Sequence, residues 1–215
     1  MIESSEFPGP ADVGYFTQAQ AGGWGETLRG FARFLALLPG SHVLDVGTGP
    51  GLLPRLLAAD GTAVGCDDSP EMIRKAAELG RQDACGPAWT VADALRLPFA
   101  HGAFDAALAT NLLFLLPDPG SGIASLARVT RSGGTVGFLN PSERMSIAAA
   151  EAFAAQRGLQ GFGRFSLLNY GRLAEEHHRL GAKAWNALAA EAGLADVWVE
   201  TRAGGLILFV KGRKL

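Results

Sequence analysis

The segment Asp45-Val46-Gly47-Thr48-Gly49-Pro50-Gly51 sets three glycines at alternate positions just behind a carboxylate. Glycine lets backbone come close to a ligand. A helix starting directly after such a turn offers unpaired N–H groups and partial positive charge. A phosphate, or the carboxylate of an amino-acid moiety, suits that environment. Asp67 stands twenty positions after Gly47, the distance at which an acid commonly holds ribose hydroxyls. Asp93 adds a third carboxylate further on. Each acid alone reads equally well as a helix cap or a solvated loop residue. Three of them at the ends of consecutive strands point instead to a ribose-bearing ligand on one sheet edge.

Two classes of ligand compete for that loop. A nicotinamide-binding turn reads G-x-G-x-x-G. Here Gly47-x-Gly49-x-Gly51 is one residue short, and Leu52 stands where the third glycine belongs. Asp45 occupies a position that motif fills with apolar residues. Tyr170 is followed four residues later by Ala174 rather than lysine, so the short-chain dehydrogenase pair is missing. Neither a G-x-x-x-x-G-K-[ST] phosphate loop nor a G-x-S-x-G nucleophile elbow occurs.

The elements that must position these residues follow from periodicity and punctuation. Residues 1–23 read as irregular or loosely helical. Leu28, Phe31, Phe34, Leu35 and Leu38 recur at helical spacing, predicting a helix over 24–38 that Pro39-Gly40 stops. Strands are expected at 42–46, 62–66, 89–91, 104–110 and 135–139. Helices are expected at 52–59, closed by Asp60-Gly61, then from the cap Ser69-Pro70 to Gly80, and at 123–130. Residues 141–192 read as mainly helical with a glycine-rich break at 158–163. Strands at 196–201 and 206–210 lie too close for a parallel crossover and form an antiparallel hairpin. Alternating strands and helices imply a mostly parallel sheet covered on both faces, in one domain.

Composition narrows the function classes. The 215 residues are 48% hydrophobic and 19% charged, which is globular rather than disordered. The formal charge of -2 lacks the basic footprint of a nucleic-acid binder. Cys66 and Cys85 form neither a Cys-x-x-Cys pair nor a zinc set, and read as buried free thiols. The start, Met1 to Glu6, is acidic and polar, unlike a signal peptide. No apolar stretch approaches the ~20 residues of a membrane span. A cytoplasmic protein with neither a nucleic-acid nor a membrane partner is expected.

The whole series resembles a known family. Val43 to Gly51 is similar to the first motif of class I S-adenosylmethionine (SAM)-dependent methyltransferases. Gly65-Cys66-Asp67-Asp68-Ser69-Pro70-Glu71-Met72, Ala92-Asp93-Ala94 with Leu97-Pro98-Phe99, Phe104 to Ala107, and Leu126 to Val129 with Gly133-Gly134 follow in the family's order. The set resembles the small-molecule branch, type 11, typified by ubiquinone and menaquinone biosynthesis enzymes, over roughly residues 35–140. The resemblance implies a Rossmann-like three-layer sandwich. Its seven-stranded, mostly parallel sheet would end in an antiparallel hairpin strand.

The resemblance also implies roles. Asp45 orients the loop and reaches the SAM amino group, directly or through water. Gly47, Thr48, Gly49 and Gly51 admit the methionine part. Asp67, with Asp68 beside it, takes the ribose hydroxyls, and Met72 packs near adenine or ribose. Asp93 and the Ala94 backbone meet the adenine, and Asn111 lines the methionine end. SAM would be the cofactor, S-adenosylhomocysteine (SAH) the product, and a small molecule the methyl acceptor. No metal set is implied.

The acceptor's walls are expected from the N-terminal segment 1–40 (Tyr15, Phe16, Trp24) and the helical insertion 141–185 (Phe162, Phe165, Tyr170, Trp185). Each of these aromatics is also readable as ordinary core. The slight basic excess of the insertion reads as a solvated surface as readily as an acidic-substrate site. His177-His178 reads as surface histidine, since neighbours on a helix diverge too far to share a metal.

Overall fold

A computed structural model describes residues 7–9, 12–58, 61–81, 83 and 86–215. The first six residues, Ala59, Asp60 and Cys85 lie outside the described residues. Seven strands form one sheet: β1 (His42–Val46), β2 (Thr62–Asp67), β3 (Ala88–Val91), β4 (Phe104–Thr110), β5 (Thr130–Pro141), β6 (Leu194–Arg202) and β7 (Ile207–Lys214). Their order is β3-β2-β1-β4-β5-β7-β6. Only β7 runs against the rest: it pairs antiparallel with both β5 and β6.

Among the described residues eight α-helices surround the sheet: α1 (Val13–Ala21), α2 (Gly23–Leu35), α3 (Leu52–Ala58), α4 (Pro70–Gly80), α5 (Pro119–Val129), α6 (Ile147–Gln156), α7 (Gly161–Glu176) and α8 (Ala182–Glu191). The strand order moves outward one way from β1 to β3 and the other way from β4 to β5. Right-handed crossovers then place α3 and α4 on one face and α5 on the other. Register along β5 shows the same division for α2 and α8. A Cβ at Gly137 would meet Leu35 and Phe31 of α2, whereas Phe138, pointing the other way, packs on Trp185 of α8. The core fills both layers, with Phe31, Leu44, Leu108, Phe138 and Trp185 fully buried.

Local chemistry fixes the ends that matter. Ser69 caps α4 by accepting from the Met72 N–H, with Pro70 in the first turn. Asp118 and Pro119 do the same for α5, which starts four residues before the predicted Ile123. The α2 helix ends at Leu35 rather than Leu38. Ala36 turns left-handed (φ 50°), and the Lys211 ammonium donates to the carbonyls of Phe34 and Leu35. The segment read as loosely helical is ordered as α1 from Val13, capped by Asp12. β5 begins at Thr130, five residues earlier than expected, and β4 meets it through a register shift near Phe104. Among the described residues no helix is long and apolar enough to cross a membrane.

Candidate cofactor site at the sheet switch point

The strand order reverses between β1 and β4, and open α/β sheets bind ligands at such a point. The glycine turn leaves β1 there. Gly47 adopts φ 71°, and a Cβ on it would stand 3.0–3.3 Å from the Leu112 side chain, just past β4. The loop and the segment just past β4 therefore pack against each other. Gly51 adopts φ 82°, and its missing Cβ is replaced by the Trp89 ring, 2.3 Å from where that carbon would be. Gly51 thus serves packing between α3 and β3.

The loop's N–H groups are not free, contrary to the expectation of an anion cradle. Gly47 and Thr48 both donate to the Cys66 carbonyl, at 2.8 and 3.0 Å. Gly49 donates to Asp67 Oδ2 at 2.9 Å, and Gly51 to the Thr48 carbonyl at 3.1 Å. Leu52 donates to Gln20 Oε1 at 3.0 Å, and Pro50 has no N–H. A pyrophosphate, which depends on such donors, finds none on this loop.

The loop instead surrounds orphaned acceptors. Asp45 is 1% exposed, and neither of its carboxylate oxygens has a hydrogen-bond partner; the Thr48 hydroxyl is buried and unpartnered too. Burial pushes the Asp45 carboxyl up to about 7; the nearby Thr48 hydroxyl opposes this and the Asp67 charge adds to it. Thr48 stands close without completing a hydrogen bond, since both groups remain unsatisfied. A buried, unpaired carboxylate is costly unless a cation meets it.

Asp67 holds both sides of the turn. Its Oδ1 accepts from the Ser69 N–H at 3.0 Å while Oδ2 takes Gly49. Burial raises its pKa most, the two N–H donors lower it, and Asp68 raises it further. Asp68 itself is exposed. Asp93 is exposed at the end of β3, with Oδ1 fixed by the Leu95 N–H at 2.8 Å. Ala94 is half-buried beside it, and Met72 is buried one turn into α4. Asn111 is half-buried and left-handed (φ 56°), its N–H bound to the Leu139 carbonyl at 2.8 Å. Ten of the eleven residues singled out from sequence lie at the ends of β1 to β4 or in the turns that leave them, and Met72 lies in the first turn of α4.

Three contributors to this site carry no motif. Gln20 on α1 reaches the loop, with Nε2 3.4 Å from the Thr48 carbonyl as well as its bond to Leu52. Leu112 walls off Gly47. Tyr170 on α7 donates to Asn111 Oδ1 at 2.7 Å. The helices α1 and α7 are themselves joined. The Asn169 amide donates to Tyr15 Oη at 3.1 Å, and Phe7, Tyr15, Phe162 and Phe165 form one aromatic cluster. Trp24 meets the Tyr170 ring edge-on at 4.6 Å.

Other expectations resolve differently. Trp185 is 0% exposed and belongs to the core under β5. The histidine pair is not helical, because α7 ends at Glu176. His177 contacts the Leu173 carbonyl and His178 the Pro117 carbonyl. Cys66 is buried, and its thiol is pushed up to about 12 by burial and by the Asp45 and Asp67 charges. A groove of about 560 Å³ between α2 and the β6–β7 hairpin, lined by Arg33, Phe34, Arg202 and Phe209 among others, shares no residue with the rim.

Comparison with known proteins gives the family and the fold. Residues 44–138 match the family described as "Methyltransferase domain". A demethylmenaquinone methyltransferase of Beutenbergia cavernae is 31% identical over 191 residues, 84% of this chain and 77% of the relative. Further curated relatives match a shorter stretch, and the chain spans 38% of their length. Magnesium protoporphyrin IX methyltransferase from Synechocystis, solved with bound SAH, superposes with TM-score 0.67 at 16% identity, covering 96% of this chain and 90% of that one. A Haloferax volcanii structure determined as a complex with the Trm112 methyltransferase activator gives TM-score 0.68 at 18% identity, covering 92% of both chains.

Proposed function

This chain belongs to the class I SAM-dependent methyltransferases, type 11 branch, and on that premise we propose that it methylates a small molecule, with Asp45 receiving the ammonium of the cofactor. It is an enzyme of that class, and SAM is its cofactor. The single observation that carries the site assignment is the buried, partnerless carboxylate of Asp45, with the unpartnered Thr48 hydroxyl beside it. An amino-acid ammonium satisfies both acceptors, and a nicotinamide pyrophosphate satisfies neither. The nicotinamide alternative is not favoured.

When bound, SAM supplies an activated methyl group on a sulfonium. The chain's own residues bind, orient and exclude water. In this reading Asp67 accepts from the ribose hydroxyls with the lone pairs left by Gly49 and Ser69, and Asp68 stays in solvent. Asp93 Oδ2 and the Ala94 backbone take the adenine edge, and Met72 packs beneath it. Gly47, Thr48, Gly49 and Gly51 shape the turn, and Asn111 lines the amino-acid end.

The joined helices α1 and α7 form the cover, which supports an enclosed small acceptor. The charge of -2 argues against nucleic acid. The relative named for demethylmenaquinone supports a small-molecule acceptor as well. Tyr170 is no base: burial holds its phenol well above 10. For an acceptor that is already nucleophilic, alignment alone lowers the barrier by ~7–11 kcal/mol in good cases. The buried, unpaired Cys66 fits a reducing compartment, and cytoplasmic residence is part of the proposal.

Calorimetric titration with SAH and with NADH tests the cofactor site. Heat with SAH, none with NADH, and its loss in Asp45→Ala are expected; no heat with SAH overturns the reading. Incubation of enzyme and SAM with metabolite extracts, read as a mass gain of one methylene on a low-molecular-weight species, tests the acceptor class.

A further inference from the structure

An α-amino acid has two charged ends, and the glycine loop provides for only one. Asp45 and Thr48 offer acceptors, while the N–H groups of Gly47, Thr48, Gly49, Gly51 and Leu52 are already bonded within the chain. Donors for the carboxylate must come from elsewhere on the rim. Asn140 is unsuited. Its Nδ2 lacks a partner, but the residue is 1% exposed, and its Oδ1 is held by the Phe114 N–H.

Asn111 meets the requirement. It is half-buried, directly follows β4, and precedes the Leu112 that packs on Gly47. Its Oδ1 is filled by the Tyr170 hydroxyl at 2.7 Å, and among the described residues its Nδ2 has no partner. With Tyr170 as the donor, the oxygen of this amide faces it, and the two N–H bonds face the other way. The Tyr170 ring cannot swing. It is 5% exposed and held edge-on by Trp24 at 4.6 Å and Phe114 at 5.7 Å.

We propose that Tyr170 is a positioning residue for the amino-acid end of the cofactor, acting through Asn111, whose Nδ2 it turns toward the carboxylate. This rests on the cofactor reading above. Burial keeps the Tyr170 hydroxyl protonated and so able to donate to that oxygen. Trp24 and Tyr170 thereby connect the helical cover to a neutral donor on the rim that can recognise a methionine tail.

The test is calorimetry on the full chain with two probes. SAH carries the amino-acid end; 5′-methylthioadenosine keeps the adenosyl thioether and lacks it. Tyr170→Phe retains the ring and should weaken SAH by about 2- to 13-fold, the range of one neutral hydrogen bond, while methylthioadenosine binding stays the same. Asn111→Asp keeps the left-handed backbone and the acceptor for Tyr170 but sets a carboxylate against the ligand's own. It should weaken SAH at least as much and again spare methylthioadenosine. Equal weakening of both probes in Tyr170→Phe makes its role merely structural and overturns the proposal, as does unchanged SAH affinity in both variants. A wild-type chain that binds methylthioadenosine but not SAH sinks it too. If neither probe binds the wild type, the cofactor reading itself fails, and this inference with it.

Discussion

Replacing Asp45 by asparagine should make the apo protein gain relative stability as pH rises, while removing tight SAM binding. Burial moves this carboxyl from an ordinary 3.8 to about 7. The folded state therefore holds the proton more tightly than the unfolded chain. The stabilisation from that extra proton is fully present below the unfolded value of 3.8, and is lost as pH rises toward 7. At 1.36 kcal/mol per unit, the full loss is about 4 kcal/mol, an upper figure for a site that can relax or admit water. Asparagine does not titrate. The stability difference between variant and wild type should thus move in the variant's favour by roughly 2–3 kcal/mol between pH 5 and pH 8. Using the difference cancels the carboxylates that do not sense Asp45, such as Asp83 and Asp105, whose pKa values their arginine and backbone partners lower. It also cancels any fixed cost of burying an amide. Urea unfolding at both pH values, without ligand, measures it. Binding should show the mirror image. SAM affinity for the wild type should rise through pH 7 as Asp45 ionises, then fall above about 8 as the ligand's α-amino group loses its proton. A stability difference that stays flat from pH 5 to pH 8, together with pH-independent SAM affinity, refutes the argument that Asp45 is an orphaned acid awaiting a cation.

Four further outcomes follow from the same geometry. Gly51→Ala should cost about 2–4 kcal/mol in chemical denaturation, because a left-handed backbone and the Trp89 ring both oppose the added carbon; a loss below 1 kcal/mol contradicts that packing. Asp67→Ala should weaken SAM by about tenfold to a hundredfold, the worth of hydrogen bonds to a charged group, and a dissociation constant equal to wild type counts against its ribose role. Gln20→Ala frees the Leu52 N–H and should weaken SAM by roughly 2- to 13-fold. Hydrogen exchange should meanwhile show α1 and α7 gaining protection together when SAM binds, and equal protection with and without ligand refutes the cover.

What could be read from the chain divides by the range of the interactions involved. β1 at His42–Val46 and β4 at Phe104–Thr110 are legible to the residue, since each is a short apolar run between breakers. The Ser69-Pro70 cap works the same way. The analogous Asp118-Pro119 signature is masked by Gly120 and Gly122, which suggest a loop; in the fold, Gly122 lies against Leu113 and Leu116, where no side chain fits. The Ser132-Gly133-Gly134 run suggests a turn, yet β5 passes through it, because pairing across a register shift tolerates glycine. α1 has little periodicity of its own and depends on Tyr15 and Ala19 packing. The acids and glycines of the rim are visible because their spacing is local. Gln20 and Tyr170 are not, since they act on residues 28 and 59 positions away.

The sheet order has a consequence for how the chain assembles. β7 lies between β5 and β6 and, among the described residues, is the one strand β6 pairs with. On a ribosome β6 emerges first, with nothing to zip onto, while β5 waits with one flank open. Both are completed only when Ile207–Lys214 arrives. Until then the nascent chain exposes two hungry backbone edges, the species most prone to clumping during synthesis. Trimming that final ribbon should strand β6 as well, so nicks near residue 207 should be far more damaging than their distance from the cofactor suggests.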